Sequence, residues 1–274
     1  MNRRPRTLRG RARIGVPLVT VFAALAVAGP WLAPIAPGAI DLAHELEGPS
    51  RRHWLGTADN GADVLSVLLT GARLAGVVAV STVFVSLVIG TFLGALAGYA
   101  GGRVDTAVTR LTDAVQAMPS LVINVALLAL LARPGLSHLI FALCVTGWVS
   151  YARVARAETL RLRDREFVQA ARALGASPWH VVTRHVLPNA AGPIVVQATF
   201  GLGGAVLAEA SLSFLGLGPG THSSWGALLD QGTAHLLRAP RIAMLAGAAI
   251  AMVVLGFNLT GDGLRDRLDP RETG

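Results

Sequence analysis

The sequence predicts an all-α membrane protein with about six transmembrane helices. Hydrophobic residues make up 53% of its 274 residues and charged residues 15%, a balance too apolar for the surface of a soluble domain. Apolar runs of about 18 residues or more recur along the chain, and each is long enough to cross the hydrocarbon core of a bilayer. We therefore expect one helical membrane domain.

Polar and basic segments separate the apolar stretches and so locate the helices. The predicted spans are residues 14–34, 74–99, 121–132, 139–151, 192–215 and 242–259. The third span is short for a crossing and follows Pro119, which breaks an amphipathic segment at 103–117. In the second span, Gly90, Gly94 and Gly98 recur at every fourth position, so we expect another helix to approach closely there.

The distribution of basic residues predicts the topology. All 24 are arginines, and most fall in the N-terminal segment 1–13, the loop 159–191 and the tail 260–274. The segments predicted to be outside hold Arg51, Arg52, Arg73, Arg133, Arg238 and Arg241. Because positive residues collect on the cytoplasmic side, both termini are expected in the cytoplasm. This loop-by-loop pattern does not fit a nucleic-acid-binding face.

Two interpretations of the N-terminus follow from its six arginines and the apolar stretch after them. The first interpretation is a secretory signal peptide, whose start the pattern resembles and which would be cleaved near residues 36–39. The second is an uncleaved membrane helix. The apolar run is longer than a usual signal and further spans follow, so we interpret 14–34 as the first transmembrane helix. Residues 35–73 are then an extracytoplasmic loop that ends in a short amphipathic helix from Asp63, and 74–259 form the transmembrane core.

Residue types that carry chemistry are scarce. Cys144 has no second cysteine to pair with, and no Gly-rich stretch ends in the Lys-Ser/Thr of a phosphate loop. His53 is predicted outside, whereas His180 and His185 are predicted in the cytoplasmic loop, so they cannot share a metal site. We expect no catalytic residue, no metal and no cofactor in this chain, and a membrane enzyme is disfavoured.

The cytoplasmic loop 159–191 has a definite local order, REFVQAARALGASPWHVVTRHVLPNAAGP from Arg165. Gly175 is placed to end one short helix in the left-handed conformation. Ser177 is then an N-cap and Pro178 a first helical residue, so a second helix starts at once. Small residues at the bend make a knob that fits a groove on a soluble partner, with the arginines nearby facing the partner or lipid headgroups. The alternative is a helix that only lies on the bilayer.

The segment QAARALGASPWHVVTRHVLP resembles the EAA loop of bacterial ATP-binding cassette (ABC) importer permeases. The resemblance implies that Gln169, Ala170, Ala171, Gly175, Ala176, Ser177, Pro178, Leu187 and Pro188 couple the chain to an ATP-binding subunit. Gln169 stands where the family usually has Glu.

Further stretches are similar to the second permease of the dipeptide, oligopeptide and nickel branch. They are HWLGTADNGADVLSVLLTGAR from His53, GYAGGRVDTAVTRLTDAVQAMPSL from Gly98, EASLSFLGLG from Glu209, SSWGALLDQG from Ser223 and NLTGDGLRDRLDPR from Asn258. The similarity covers nearly the whole chain after Trp54. Ala62 departs from it, since the branch usually has Arg there.

The resemblance implies a type I ABC importer permease in the bacterial cytoplasmic (inner) membrane. Its partners would be a second homologous permease, two ATP-binding subunits that hold ATP and Mg, an extracytoplasmic solute-binding protein, and membrane lipid. The expected cargo is a dipeptide or oligopeptide, with nickel or another small solute as the alternative. An ion-coupled secondary transporter is the alternative of a different class, but it would be expected to carry several buried acids and an inverted repeat.

Three polar residues in the predicted spans are candidates for the transport pathway or its gate. Glu209 is the one ionisable side chain predicted within a span, where a carboxylate is costly. Gln197 and Asn124 are neutral amides, which also serve to join helices. For Glu209, a gating role and a structural hydrogen-bonding role both remain open.

Overall fold

The chain folds into long helices that pack side by side, with short helices at both ends of the bundle. The computed structural model describes residues 7–36, 38–131, 134–220 and 223–268. The α-helices are α1 (Thr7–Leu32), α2 (Val64–Ala100), α3 (Gly102–Gln116), α4 (Ser120–Ala129), α5 (Leu136–Leu162), α6 (Glu166–Ala173), α7 (Pro178–Val181), α8 (Leu187–Phe214), α9 (Trp225–Ala234) and α10 (Pro240–Leu268). Within the described residues, five stretches are long and apolar enough to span a membrane, and α3 with α4 makes a sixth if the bent pair counts as one span.

The expected third span is the one that departs most from a straight crossing. α4 has 10 residues, which is about 15 Å of helix and half of a bilayer core. It follows α3 across Pro119 at an angle of 76°. Proline lacks the N–H that would continue the helical ladder, so the apolar α4 turns sharply from the amphipathic α3.

Several predicted boundaries shift. The helix predicted from Asp63 is confirmed, since Asp63 caps α2 by accepting a hydrogen bond from the backbone N–H of Ser66 at 2.8 Å. It is not a separate short helix, because α2 runs unbroken to Ala100. α5 continues to Leu162 and α8 begins at Leu187, so both enter the predicted loop 159–191. α10 extends into the predicted tail, and residues 269–274 lie outside the described residues.

The predicted close approach of a helix to Gly90, Gly94 and Gly98 is confirmed, and the partner is α5. A Cβ on Gly94 would overlap the backbone carbonyl oxygen of Ala152, and one on Gly90 would overlap that of Trp148. Lipid tails are as apolar as leucine, so membrane helices are held together mainly by close packing of this kind. The glycines therefore fix α2 against α5.

An aromatic cluster joins α1, α9 and α10 on the other side of the bundle. The ring of Phe22 packs against Trp225 at 6.0 Å and edge-on against Phe257 at 5.8 Å between centroids. The Trp225 indole N–H also donates to the Leu68 carbonyl oxygen at 2.9 Å. The stretch SSWGALLDQG is thus a short helix anchored by its tryptophan.

The outer loop before α2 is held by Arg241 at the start of α10. Its guanidinium donates to the carbonyl oxygens of Leu46 at 3.1 Å and Thr57 at 3.3 Å, and also to that of Glu47. Ala62 is buried in a small apolar cluster that includes Ile242. This loop therefore holds its shape with alanine at the position where arginine was expected.

We predict that Gly94→Ala destabilises the bundle and that Gly192→Ala does not. Both changes gain helix propensity equally, but a Cβ at Gly192 would meet the Leu268 side chain at an ordinary 3.6 Å. Overpacking at Gly94 should lower stability by about 1–3 kcal/mol. The measurement is the temperature at which half of the detergent-solubilised protein leaves the monodisperse peak in size-exclusion chromatography. Equal midpoints for the two variants would contradict the α2–α5 contact.

Candidate functional site

Residues 163–186, called the coupling segment after the role predicted for it, connect α5 to α8 and contain two short helices with a tight turn between them. Two backbone hydrogen bonds end α6. The N–H of Ala176 donates to the Ala171 carbonyl oxygen at 3.0 Å, and the N–H of Gly175 donates to the Arg172 carbonyl oxygen at 2.9 Å. Gly175 has φ of +84°, which a side chain disfavours. The predicted glycine-terminated helix is confirmed.

The second predicted helix start is also confirmed. The Ser177 hydroxyl accepts a hydrogen bond from the His180 backbone N–H at 3.3 Å, and Pro178 is the first helical residue. The helix does not stop, however. A π-helical stretch, Val182–Val186, joins α7 directly to α8.

Pro188 gives a physical reason for the π-helical stretch. Its ring would clash with the carbonyl four residues before it, and a widened turn is a common relief. The N–H of Leu187 accordingly bonds to the Val182 carbonyl, five residues back. The Leu-Pro pair predicted to act in coupling lies where the segment joins the membrane helix.

Buried valines anchor the coupling segment to the bundle. Val168 of α6, Val181 of α7 and Val186 pack into one apolar cluster with Ala155 and Leu162 of α5. The cluster fixes the inner face of the segment, and it includes Ala171 and Ala176 at its edge. These valines were not predicted from the sequence. The available signal was that Val168 lies on the opposite side of α6 from Phe167 and Ala170.

Arginines near the segment bond to the chain itself. Arg172 donates to the Tyr99 hydroxyl at 3.2 Å and lies 4.7 Å from the centre of its ring, and Arg163 donates to the Gly98 carbonyl at 3.2 Å. Arg156 forms a two-point ion pair with Asp105 of α3. These three arginines tie the segment and α3 to α2 and α5. Arg172 is nevertheless exposed, so contact of the arginines with a partner or lipid headgroups stays a prediction.

The outward side of α6 carries exposed apolar residues. Phe167 is 41% exposed and Leu174 is 89% exposed, and Ala170 between them is also exposed. A Cβ added at Gly175 would meet no described atom within 4 Å. An apolar leucine at the tip of a rigid turn gains most by burial against another protein.

Gln169 is exposed, and its side-chain amide donates to the Asp164 carbonyl at 3.1 Å. Glutamate has no donor for this bond when ionised. The departure from the family pattern therefore closes the turn before α6 with an additional hydrogen bond.

The three predicted pathway residues do not share one place. Asn124 and Gln197 line a cavity between α2, α4, α5 and α8, together with Thr82 and Tyr151. Thr82 and Tyr151 were missed because an isolated hydroxyl in an apolar helix often bonds its own backbone. Glu209 is absent from the lining described for this cavity.

Glu209 joins α8 to α9. It is 1% exposed, and one carboxylate oxygen accepts hydrogen bonds from the hydroxyls of Ser213 and Ser224, each at 2.8 Å. Ser224 also accepts from the Gly226 N–H at 3.1 Å as the cap of α9. The stretches EASLSFLGLG and SSWGALLDQG therefore meet at this carboxylate.

The described residues hold no group of three or more His, Cys, Asp or Glu side chains that could bind a metal ion. A larger cavity of about 690 Å³, lined mostly by apolar side chains, opens between α8 and α10. Lipid tails and an apolar partner helix would cover that surface equally well. The cavity therefore does not indicate which of the two contacts it.

A family model described as the binding-protein-dependent transport system inner membrane component matches residues 90–274. The chain is 38% identical to the dipeptide transport system permease protein DppC of Alkalihalophilus pseudofirmus, over 95% of this chain and 86% of that protein. It is 40% identical to the probable D,D-dipeptide transport system permease protein DdpC of Escherichia coli, over 94% and 86%. It is 34% identical to the oligopeptide transport system permease protein OppC of Bacillus subtilis, over 95% and 85%.

The fold also matches a solved structure. A chain of the MetNI methionine ABC transporter, in inward-facing conformations, superposes with a TM-score of 0.62 at 20% identity, over 73% of this chain and 95% of that one. At this identity the likeness concerns the fold alone.

We predict that Val168→Ala loosens α6 and that Phe167→Ala does not. Removing two buried methyl groups should cost about 2 kcal/mol, which is roughly thirtyfold in the local opening equilibrium. Phe167 loses more atoms but is half-exposed. The measurement is hydrogen–deuterium exchange of the 166–174 amides in detergent. Similar exchange rates in both variants would contradict Val168 as the anchor.

Proposed function

Because the chain belongs to the family of binding-protein-dependent transport system inner membrane components, we propose that it is a permease subunit of an ATP-driven importer of dipeptides or oligopeptides. Its partners in the proposal are a second related permease, two ATP-binding subunits and an extracytoplasmic solute-binding protein. The observation that carries the proposal is the similarity to named peptide permeases over more than nine-tenths of the chain.

The proposed role of the coupling segment is to dock into a groove of an ATP-binding subunit. Support comes from its two unlike faces: valines hold the inner face to α5, while Phe167 and Leu174 stand outside without being covered. A segment that merely lay on the bilayer would not need a turn closed by Gly175 and capped by Ser177. ATP binding would move the segment if the partner binds two conformations of the permease with unequal affinity.

In this proposal the route of the solute passes Asn124 and Gln197, which line the cavity. Glu209 has the positioning role: it holds the start of α9 through Ser224. Both termini are cytoplasmic, because the arginine-rich segment 1–13 precedes the apolar part of α1 and α10 ends at the arginines of the tail. ATP and Mg bind in the partner subunit.

Peptides are the proposed cargo because the relatives are named for dipeptides, D,D-dipeptides and oligopeptides. For nickel, the soft or imidazole ligands that suit the ion would have to come from the solute-binding protein. A secondary transporter would couple ions through buried acids, whereas Glu209 is bonded to serine hydroxyls.

We predict that Leu174→Asp abolishes co-purification of an ATP-binding subunit with the tagged chain in mild detergent. The side chain contacts little of its own chain, so the change leaves the fold intact but places a charge in the proposed interface. The matched control is Leu237→Asp, at a leucine that is 101% exposed beyond the opposite end of α8. Retention of the ATP-binding subunit by Leu174→Asp, or equal loss in both variants, would contradict docking at this site.

We also predict that cells carrying the complete importer take up radiolabelled alanylalanine in a way that stops on ATP depletion and persists with a protonophore when ATP is maintained. Deletion of this chain should abolish that uptake. Uptake of ⁶³Ni²⁺ in place of the peptide would favour the nickel alternative. Peptide uptake that a protonophore stops at constant ATP would favour a secondary transporter.

A further inference from the structure

Several polar side chains line the cavity between α2, α4, α5 and α8, which lies within the helix bundle. It has a volume of about 170 Å³, and its lining includes the hydroxyls of Thr82, Thr146 and Tyr151 and the amides of Asn124 and Gln197. The described lining has no Asp, Glu, Lys, Arg or His. Such a site offers hydrogen bonds without charge.

Two of these hydroxyls have no hydrogen-bond partner among the described residues: Thr82 Oγ1 and Tyr151 Oη are both buried and unpaired. A buried polar group without a partner is costly, most of all in a membrane, where water is scarce. Native proteins usually satisfy such groups. A molecule that enters the cavity is one source of such a partner.

Glycines of α8 keep this space open. A Cβ on Gly201 would overlap the Tyr151 hydroxyl oxygen. Gly204, one turn further along, also lines the cavity and is exposed, and a Cβ added there would meet no described atom within 4 Å. The cavity therefore opens to the outside of the chain at Gly204.

The volume limits what can bind. A water molecule takes roughly 30 Å³ of the liquid, so the cavity holds about five or six waters or a solute fragment of similar size. Sites for whole ligands of drug size are larger, about 300–1,000 Å³. One peptide unit with a small side chain matches this cavity, whereas a divalent metal ion would lack the anionic or imidazole ligands that it prefers.

We propose that this cavity is a hydrogen-bonding subsite on the transport route, which binds an uncharged, amide-bearing part of the transported solute through Thr82, Tyr151, Asn124 and Gln197. The proposal rests on the importer function above and specifies its solute: a peptide group, and not a metal cation. Bound solute supplies the partners that Thr82 and Tyr151 lack within the described chain, and water takes that place between transport cycles.

The first test uses Thr82→Val and Tyr151→Phe in the complete importer, purified with its partner subunits and reconstituted in liposomes. Each change removes a hydroxyl that has no partner among the described residues, so stability is maintained. The apparent affinity for alanylalanine uptake should fall about threefold to tenfold, while the partner subunits still co-purify. The matched control is Thr91→Val in the same helix, where the hydroxyl is also unpaired but lies outside the described cavity lining; it should leave uptake unchanged.

The second test is thiol labelling in a Cys144→Ala background of the same complex. Alanylalanine should slow the reaction of Gly204→Cys with a methanethiosulfonate reagent and leave that of Gly192→Cys unaffected. Normal uptake affinity in Thr82→Val and Tyr151→Phe, or labelling at Gly204→Cys that the peptide does not slow, would overturn the subsite. Failure of the unchanged complex to hydrolyse ATP or to import alanylalanine would instead overturn the importer proposal, and the subsite with it.

Discussion

The contact between α2 and α5 is the constraint on which the rest of the structure depends. Without a hydrophobic effect between helices in lipid, only close packing and hydrogen bonds fix their register. The glycines of α2 supply the close packing, because the carbonyl oxygens of Trp148 and Ala152 occupy the space where side chains would be. Because the backbones of the two helices are in contact, one helix cannot slide along the other without atomic overlap. The ends of α2 and α5 are therefore fixed relative to each other.

The coupling segment is built on one of these ends. The hydroxyl of Tyr99 in the last turn of α2 accepts a hydrogen bond from Arg172 of α6. Leu162 at the end of α5 packs with Val168. α3 is tied to the same end by the ion pair between Asp105 and Arg156. The inner face of the segment is thus covered by other parts of the chain. The apolar residues on its outer side, Phe167 and Leu174, remain exposed and available to a partner.

The sequence predicted most strongly what is encoded locally. The turn at Gly175, the cap at Ser177 and the packing glycines follow from backbone and capping chemistry, and the structure has all three. The helix start at Asp63 was predicted from the sequence, but not that this helix continues unbroken into the second span as α2. The angle between α3 and α4 was not predictable from Pro119, since a proline indicates a break and not its direction. The continuation of α7 into α8 was missed because a Leu-Pro pair is typical of a helix end.

The cavity was beyond prediction for a different reason. Each of Thr82, Tyr151 and Gln197 is an isolated polar residue in an apolar run, and their convergence depends on how α2, α5 and α8 are placed relative to one another. Asn124 and Gln197 were singled out as amides in a membrane segment, but nothing local indicated that they share a space. Which polar residues share the cavity depends on how the helices are aligned against one another, and the glycine contact sets that alignment for α2 and α5.

The helical path from α7 to α8 connects the two sites physically. The path is continuous from Pro178 to Phe214, and Gln197 and Gly204 lie on the same helix as the segment that docks in the proposal. Gly204 is 17 residues beyond Leu187, which corresponds to about 25 Å of helix. Thr82 and Tyr151 belong instead to the rigid α2–α5 pair. A force applied at the coupling segment would therefore move one wall of the cavity against the other, so ATP binding could change the solute's hydrogen bonds through one helix.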